Sequence, residues 1–267
     1  MHRHVIFVAA VAGLAATCGA QAADTHASFQ CTYNTQYDVQ IKPDGIAFTR
    51  DHGTPGDVFM HNGQLRVDGR DVAVSSADAA RLRDYEQQVR ELVPTIAAIA
   101  RDGVNIGYSA LSTVVATFAE NSDERLRYQQ SLHEKEVVAL QMIENGLDKG
   151  EWKADDDDRA FGADMQQTVA DMTGDVMRNV VADALSGDSS RMASLQARTS
   201  SLENSLQKAL TEPAEQLAQR AQEVCPRLTD LDRLQQQFQF RLAHGERLQL
   251  LSSDTDRLDK ARQYAQR

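Results

Sequence analysis

Aromatic residues make up 6% of this 267-residue chain and include one tryptophan, Trp152. Carbohydrate clefts and base-stacking platforms are built from such side chains, so neither is expected here. Positive charge is also short. Lys and Arg number 28 against 39 Asp and Glu, a formal net charge of −11. A surface of that sign repels phosphate backbones and anionic headgroups, which argues against nucleic acid as a partner. No apolar run reaches the roughly 20 residues that a membrane-spanning helix needs. Cysteine is scarce, with three in the chain, at positions 18, 31 and 225.

What is present begins with a leader. His2, Arg3 and His4 give a short polar and positive start, Val5–Thr17 is an unbroken apolar and small run, and Ala20-Gln21-Ala22 supplies a small-x-small cleavage pattern. That order is the one a secretory signal peptide uses, so residues 1–22 are expected to be removed on export. A second processing route would make Cys18 a lipidated N-terminus, tethering the protein to a membrane. The preceding Leu14-Ala15-Ala16-Thr17 fits that route poorly.

Cleavage leaves Cys31 and Cys225. An even number of thiols in an oxidising compartment argues for pairing. The alternative is two free buried cysteines. A bond between them would close a loop spanning nearly the whole chain, stabilising it by roughly 5 kcal/mol in the chain-entropy model. A catalytic redox pair is disfavoured, since no Cys-x-x-Cys occurs.

Ser28 to Ser75 has the pattern of a small antiparallel sheet. Tyr37–Ile41 alternates apolar and polar residues, Pro43-Asp44-Gly45 turns the chain, and Ile46–Phe48 begins a second strand. Val58–Met60 and Leu65–Val67 flank Asn62-Gly63, a strong hairpin signal, and Asp68-Gly69 turns into Val72–Val74. The period changes at Ser76. Leu82, Tyr85, Val89, Leu92, Ile96 and Ile99 form a helical stripe capped by Ser76 or Asp78, with a kink or break expected near Val93 because of Pro94. Ile96–Ala119 is small and apolar, with Gly103 and Gly107 four apart, as in a buried helical hairpin. Further helices are expected over Leu126–Ile143, Met165–Leu185 and Met192–Val224, the last restarting at Pro213; Ser186–Ser190 turns and caps the last of them. Lys149–Ala160 is expected as a polar loop. Leu228, Leu231, Leu234, Phe238 and Leu242 continue a helical stripe.

Several segments resemble the YggN-like family of Gram-negative periplasmic proteins. They are Phe29-Gln30-Cys31-Thr32, Asp38–Ile41, the hairpin Met60–Gln64, the helix start Asp84–Pro94 and Val224-Cys225-Pro226-Arg227-Leu228-Thr229. The likeness is good over the first third of the mature chain. The family is a domain of unknown function, so the resemblance implies a periplasmic location and the cysteine pair, but no activity and no catalytic residue.

Motifs that carry chemistry are absent. Asp155–Asp158 lacks the central glycine and closing glutamate of a calcium loop, and reads as a solvated acidic run at a helix start. His26, His52, His61, His133 and His244 show no metal-ligand spacing, although His52 and His61 could face each other across strands. No nucleophile elbow and no phosphate-binding glycine loop occurs, so no catalytic, cofactor or metal residue is assigned. The leucines at 195, 202, 206 and 217 fit packing inside one bundle better than an intermolecular coiled coil.

The expected fold is therefore α+β: a signal peptide (1–22), a small antiparallel sheet (23–76), long amphipathic helices packed as hairpins or a bundle (77–244), and a polar C-terminal tail (245–267) that is loosely held. The expected role is that of a non-catalytic periplasmic envelope protein acting by contact with another envelope protein or through a hydrophobic groove between helices. The alternatives are an enzyme with a dispersed site, and a membrane-surface binder acting through Ile96–Ala119.

Overall fold

Residues 33–119, 121–153 and 188–253 are described in the computed structural model, together with Gln167, Ala170, Gly174, Arg178, Val181 and Leu185. Strands β2 (Asp38–Lys42), β3 (Gly45–Thr49), β4 (Asp57–His61), β5 (Gln64–Val67) and β6 (Arg70–Val72) form an antiparallel meander. Both tight hairpins follow the turn chemistry. Asn62 and Gly63 have φ of 47° and 82°, Asp68 and Gly69 have 47° and 75°, the all-positive pairing that matches strand twist. At Gly63 a side chain is excluded twice over, by φ and by the Ala79 carbonyl oxygen 2.6 Å from where a Cβ would lie.

Register puts Leu65, Met60, Ile46 and Ile41 in one row and Val67, Val58, Phe48 and Val39 in the next on the same face. Of these, Ile46, Phe48, Val58, Met60 and Leu65 are buried. The opposite face carries the row Glu151, Gln40, Ala47, Phe59, Arg66 and Asp71. There Gln40 donates to Glu151 at 2.9 Å and the Arg66 guanidinium covers the Phe59 ring at 4.9 Å. The sheet is thus apolar on one side, while the other mixes Ala47 and Phe59 with polar and charged residues.

Strand β7 (Glu151–Trp152) pairs with β2 and completes the order β6-β5-β4-β3-β2-β7. Sequence reasoning assigned these residues to a loop. Two residues have no measurable period, and this strand is defined by its long-range partner alone. Strand β1 (Tyr33–Asn34) pairs separately with β8 (Ser252–Ser253).

Helix α1 (Ser76–Phe118) runs through Pro94 without a break. Pro94 is exposed while Leu92, Val93 and Ala97 beside it are buried, so the ladder bond it forfeits lies on the outer side, where water can satisfy the freed carbonyl. Helix α2 (Ser122–Asn145) covers the expected Leu126–Ile143 and is followed by a 3₁₀ turn at Leu147–Lys149. Helix α3 (Ser189–Gln236) is one 48-residue helix that passes both Pro213 and Pro226, rather than restarting at 213. Asp188 caps it by accepting the Ser190 N–H at 2.8 Å. The expected helix over 165–185 falls mostly outside the described residues. The six described positions within 167–185 are helical.

The chain forms two compact units: Met1–Ala97 with Asn145–Asp155 and Ala221–Arg267, and Ala98–Glu144 with Asp156–Arg220. In the first unit an aromatic series links sheet, helix and C-terminal segment. Tyr37 meets Phe48 edge-on at 6.5 Å, Phe48 lies 6.3 Å from Tyr85, Tyr85 6.1 Å from Phe238, and Phe238 stacks on Phe240 at 5.1 Å. In the second, Val104, Tyr108, Leu111 and Val115 of α1 pack with Leu132 and Ala139 of α2. The same half of α1 meets α3 through smaller residues. A Cβ on Gly103 would lie 3.9 Å from Leu217, and Arg220 pairs with Asp102 at 2.5 Å.

Gly107 is a helix-interior glycine with nothing within 4 Å of an added Cβ. Gly107→Ala should therefore raise stability by about 0.5–1 kcal/mol in urea unfolding, from reduced backbone entropy alone. A loss of stability would mean that something crowds this position.

The polar tail expected from residue 245 is held at its beginning. Leu248, Leu250 and Leu251 are buried, and β8 follows directly. Residues 254–267 lie outside the described residues. Phe238 and Leu242 do not continue the helical stripe either: α3 ends at Gln236, and the extended chain beyond it buries Phe238, Phe240 and Leu242 while exposing Gln239 and Arg241. Spacings of three and four do not distinguish these alternate positions from a helix when the intervening residues are Gln and Arg.

Candidate functional site

Two places gather polar side chains. The first lies in the first unit, where α1 begins and α3 ends. Ser75 caps α1: its hydroxyl accepts the Asp78 N–H at 3.1 Å and donates to the Asp78 carboxylate at 3.1 Å. Sequence reasoning offered Ser76 or Asp78 as the cap. The structure moves the cap one residue earlier and joins Ser75 to Asp78 twice, through the Asp78 N–H and through its carboxylate. Asp78 is 1% exposed and also accepts from Arg81 at 2.9 Å and from the Gln239 N–H at 3.1 Å. Burial by itself raises the pKa of this carboxyl. The bonds from Gln239, Ser75 and Arg81, with the Arg81 charge, outweigh it and hold the group below the ordinary carboxylate value.

At the penultimate residue of α3 a second buried polar group grips the C-terminal segment. The Gln235 carbonyl oxygen accepts the N–H groups of Leu250 and Leu251 at 3.0 and 3.1 Å. Its amide nitrogen donates to the Leu251 carbonyl and, at 2.7 Å, to Asp232. Asp232 accepts in turn from Gln236 at 2.8 Å. These residues were not singled out from the sequence. The signal was available: Gln235 stands four after Leu231 and three before Phe238, a polar residue on an apolar stripe.

The second place is in the second unit, an open groove of about 510 Å³ between α1 and α3. Its walls are Ser109, Ser112, Thr113 and Thr117 on one side and Arg198, Ser201 and Ser205 on the other. The hydroxyls of Thr113 and Thr117 donate to their own helix, to the carbonyls of Ser109 and Thr113 at 2.9 Å each. A groove between helices was expected to be hydrophobic. This one is lined by six Ser and Thr residues with Ala116 and Arg198, and its exposed lining mixes hydroxyls with apolar carbon.

The sequence candidates scatter. Cys225 is half-buried on α3, and its carbonyl accepts the Thr229 hydroxyl at 3.0 Å. The Tyr33 hydroxyl donates to Thr229 at 3.1 Å. Cys31, two residues before Tyr33, lies outside the described residues, as do Cys18, His26 and Asp155–Asp158. His52 and His61 do not face each other. His52 sits in the loop at the Thr49–Asp57 end of the β3–β4 ladder, and His61 closes β4 at the other end. His133 is exposed, 3.6 Å from Glu136, and His244 is exposed in a turn. Among the described residues no three His, Cys, Asp or Glu side chains converge as metal ligands. Among them, too, no helix is long and apolar enough to cross a membrane. The apolar face of Ile96–Ala119 is spent on α2, through Val104, Tyr108, Leu111 and Val115.

The groups with shifted pKa values have structural surroundings. Burial raises the Tyr37 phenol, which donates to the Pro55 carbonyl at 3.0 Å under the Arg50 guanidinium. Burial raises Tyr85 further, in the aromatic series. The Ser190 hydroxyl and N–H lower Asp188, the α3 cap. None of these lines the groove.

An antiparallel meander backed by long helices defines an α+β protein. The chain belongs to the family described as a protein of unknown function (DUF2884), whose model matches residues 31–251. It is 23% identical over 228 residues to the "Uncharacterized protein YggN" of Escherichia coli strain K12, covering 82% of this chain and 93% of that one, and equally to the YggN proteins of strains CFT073 and O157:H7. No solved structure matches it.

Proposed function

We propose that the chain is an exported, non-catalytic protein of the cell envelope that works by binding another protein through its helical unit. The observation that carries this reading is on α2. Val138 is 56% exposed, and Val137 and Met142 are 37% exposed, within six residues of one helix. Isolated exposed apolar residues need no explanation, whereas a cluster favours a contact surface. The export half rests on Arg3, the Val5–Thr17 run and Ala20-Gln21-Ala22. The non-catalytic half is supported by the shifted groups, each occupied in caps, core or turns rather than poised in a cleft.

A photo-reactive residue at Val138, introduced in living cells, should give one cross-linked product in the envelope fraction. Val137→Glu combined with Met142→Glu should reduce that product at least about tenfold, because each charge must be desolvated in a contact. A chain recovered uncleaved from the cytoplasm, or a product indifferent to both charges, would overturn the proposal.

The same reading includes a disulfide between Cys31 and Cys225. It is supported by the Tyr33–Thr229 hydrogen bond, which brings the chain two residues beyond Cys31 to the helical turn that follows Cys225.

A further inference from the structure

Helix α2 has one side spent and one side open. Leu132 and Ala139, seven residues apart, are buried against α1. The opposite side follows spacings of four and three through Asp123, Arg127, Gln130, Glu134, Val137 and Gln141, all exposed. Val138, Met142 and Glu144 border it and are exposed as well. This surface carries three carboxylates, Asp123, Glu134 and Glu144, against one cation, Arg127. Glu124 and Lys135 lie on the Met142 border, half-buried, opposite in sign and each already engaged within the chain. His133, on the other border, lies 3.6 Å from Glu136. Asp123 has a local reason to be acidic, since it stands in the first turn, where the helix dipole favours a carboxylate. Glu144 has none. It stands in the last turn, where the dipole disfavours negative charge and no basic residue is present, and among the described residues no side chain pairs with it. Glu134 accepts from the neutral Gln130 of its own helix at 3.1 Å. A charge set against its own helix, beside exposed valines and a methionine, is a local cost that a partner's cation relieves.

We propose that this side of α2 receives a basic amphipathic helix of another protein. Its apolar stripe packs on Val137, Val138 and Met142, and Lys or Arg beside that stripe meet Glu134 and Glu144. The proposal rests on the contact surface already assigned to α2 and adds the chemistry of its partner. The sign of the charge selects this occupant. An anionic membrane surface is repelled by it. A second copy of the chain fits no better. A parallel pair of α2 helices brings like charges together. An antiparallel pair centred on Val137 and Val138 sets Glu134 level with Gln141 and Glu144 level with Ser131, and carries Arg127 past Asn145, the end of the other helix. Both glutamates then lack a cation, whereas a basic helix supplies one to each.

Fluorescence anisotropy of a labelled synthetic helical peptide on the purified protein tests this. The peptide carries a leucine stripe bordered by lysines, and a counterpart carries glutamates in their place. The lysine peptide should bind at least about tenfold more tightly than the glutamate peptide. Glu134→Gln with Glu144→Gln should weaken its binding about fivefold, the worth of two exposed ion pairs, and Val137→Ser with Met142→Ser at least as much. Glu212→Gln with Glu215→Gln removes the same charge from α3 and should change binding less than about twofold. All six positions are exposed, so the fold is kept. Equal losses in the two glutamine pairs would show attraction to an acidic chain at large, and no binding of the lysine peptide would show that this side takes no such helix. Either result overturns the proposal. The photo-cross-link at Val138 separates it from the reading beneath it. A product that excess lysine peptide does not compete away leaves the contact surface standing and sinks the basic helix, whereas no product at all sinks the contact surface.

Discussion

Gln235→Leu should destabilise the protein by about 3–4 kcal/mol, the largest effect expected of any single polar substitution here. The leucine matches the glutamine in size and suits a buried helical face, so packing is disturbed little. What it removes is the partner of three backbone groups, the N–H of Leu250, the N–H of Leu251 and the carbonyl of Leu251, all of them in contact with one side chain. Each buried group left without a hydrogen bond costs about 1–3 kcal/mol, moderated where the segment shifts to reach water. Such a shift would carry Leu248, Leu250 and Leu251 out of the core with it. Equilibrium urea unfolding of the purified variant reads the loss as a lower midpoint. A change under about 1 kcal/mol would show that leucine burial alone holds the segment.

The second large effect is at Asp78. Asp78→Ala should cost about 3 kcal/mol near neutral pH, because it strips a buried carboxylate from Ser75, Arg81 and the Gln239 N–H and leaves those donors without their acceptor. Its pH dependence has a definite sign. The folded-state pKa lies below the ordinary carboxylate value, so the unfolded chain takes up the proton first. The contribution is complete above the unfolded value, near pH 4, and is lost as pH falls from there through the lower folded value. Wild type and Asp78→Ala should therefore differ most at pH 6–7 and converge on acidification. Thermal melts of both proteins between pH 7 and pH 3 test this, and a gap that stays constant with pH would refute the role of the charge.

Local rules made much of the sheet legible. Asn62-Gly63 and Asp68-Gly69 announce their turns because few residues accept positive φ, and alternation then fixes which side of each strand is buried. The stripe from Leu82 to Leu92 announces the helix face that receives the sheet. The misses share one physical origin, dependence on partners distant along the chain. Strand β7 exists because β2 is there to pair with it. Pro94, Pro213 and Pro226 are tolerated because burial along the rest of each helix outweighs a missing bond, whereas local propensity predicts interruption. The extended run beyond Gln236 is defined by Gln235 and Asp78, 161 positions apart from Gln239 in the latter case. The candidate site was the least legible part, since Ser and Thr on a helix surface look alike whether they face water or line a groove.

The order in which the units are spelled out along the polypeptide has a consequence for how the molecule comes into being. The meander and the first turns of α1 are synthesised early, yet Phe238, Gln235 and Leu250 belong to the same unit and arrive last. A growing or threading chain must keep its opening segment waiting, with the apolar side of the sheet only partly covered, until Leu250 and Leu251 are delivered. Premature termination anywhere before Leu251 would thus strike at the beginning of the protein as much as at its end.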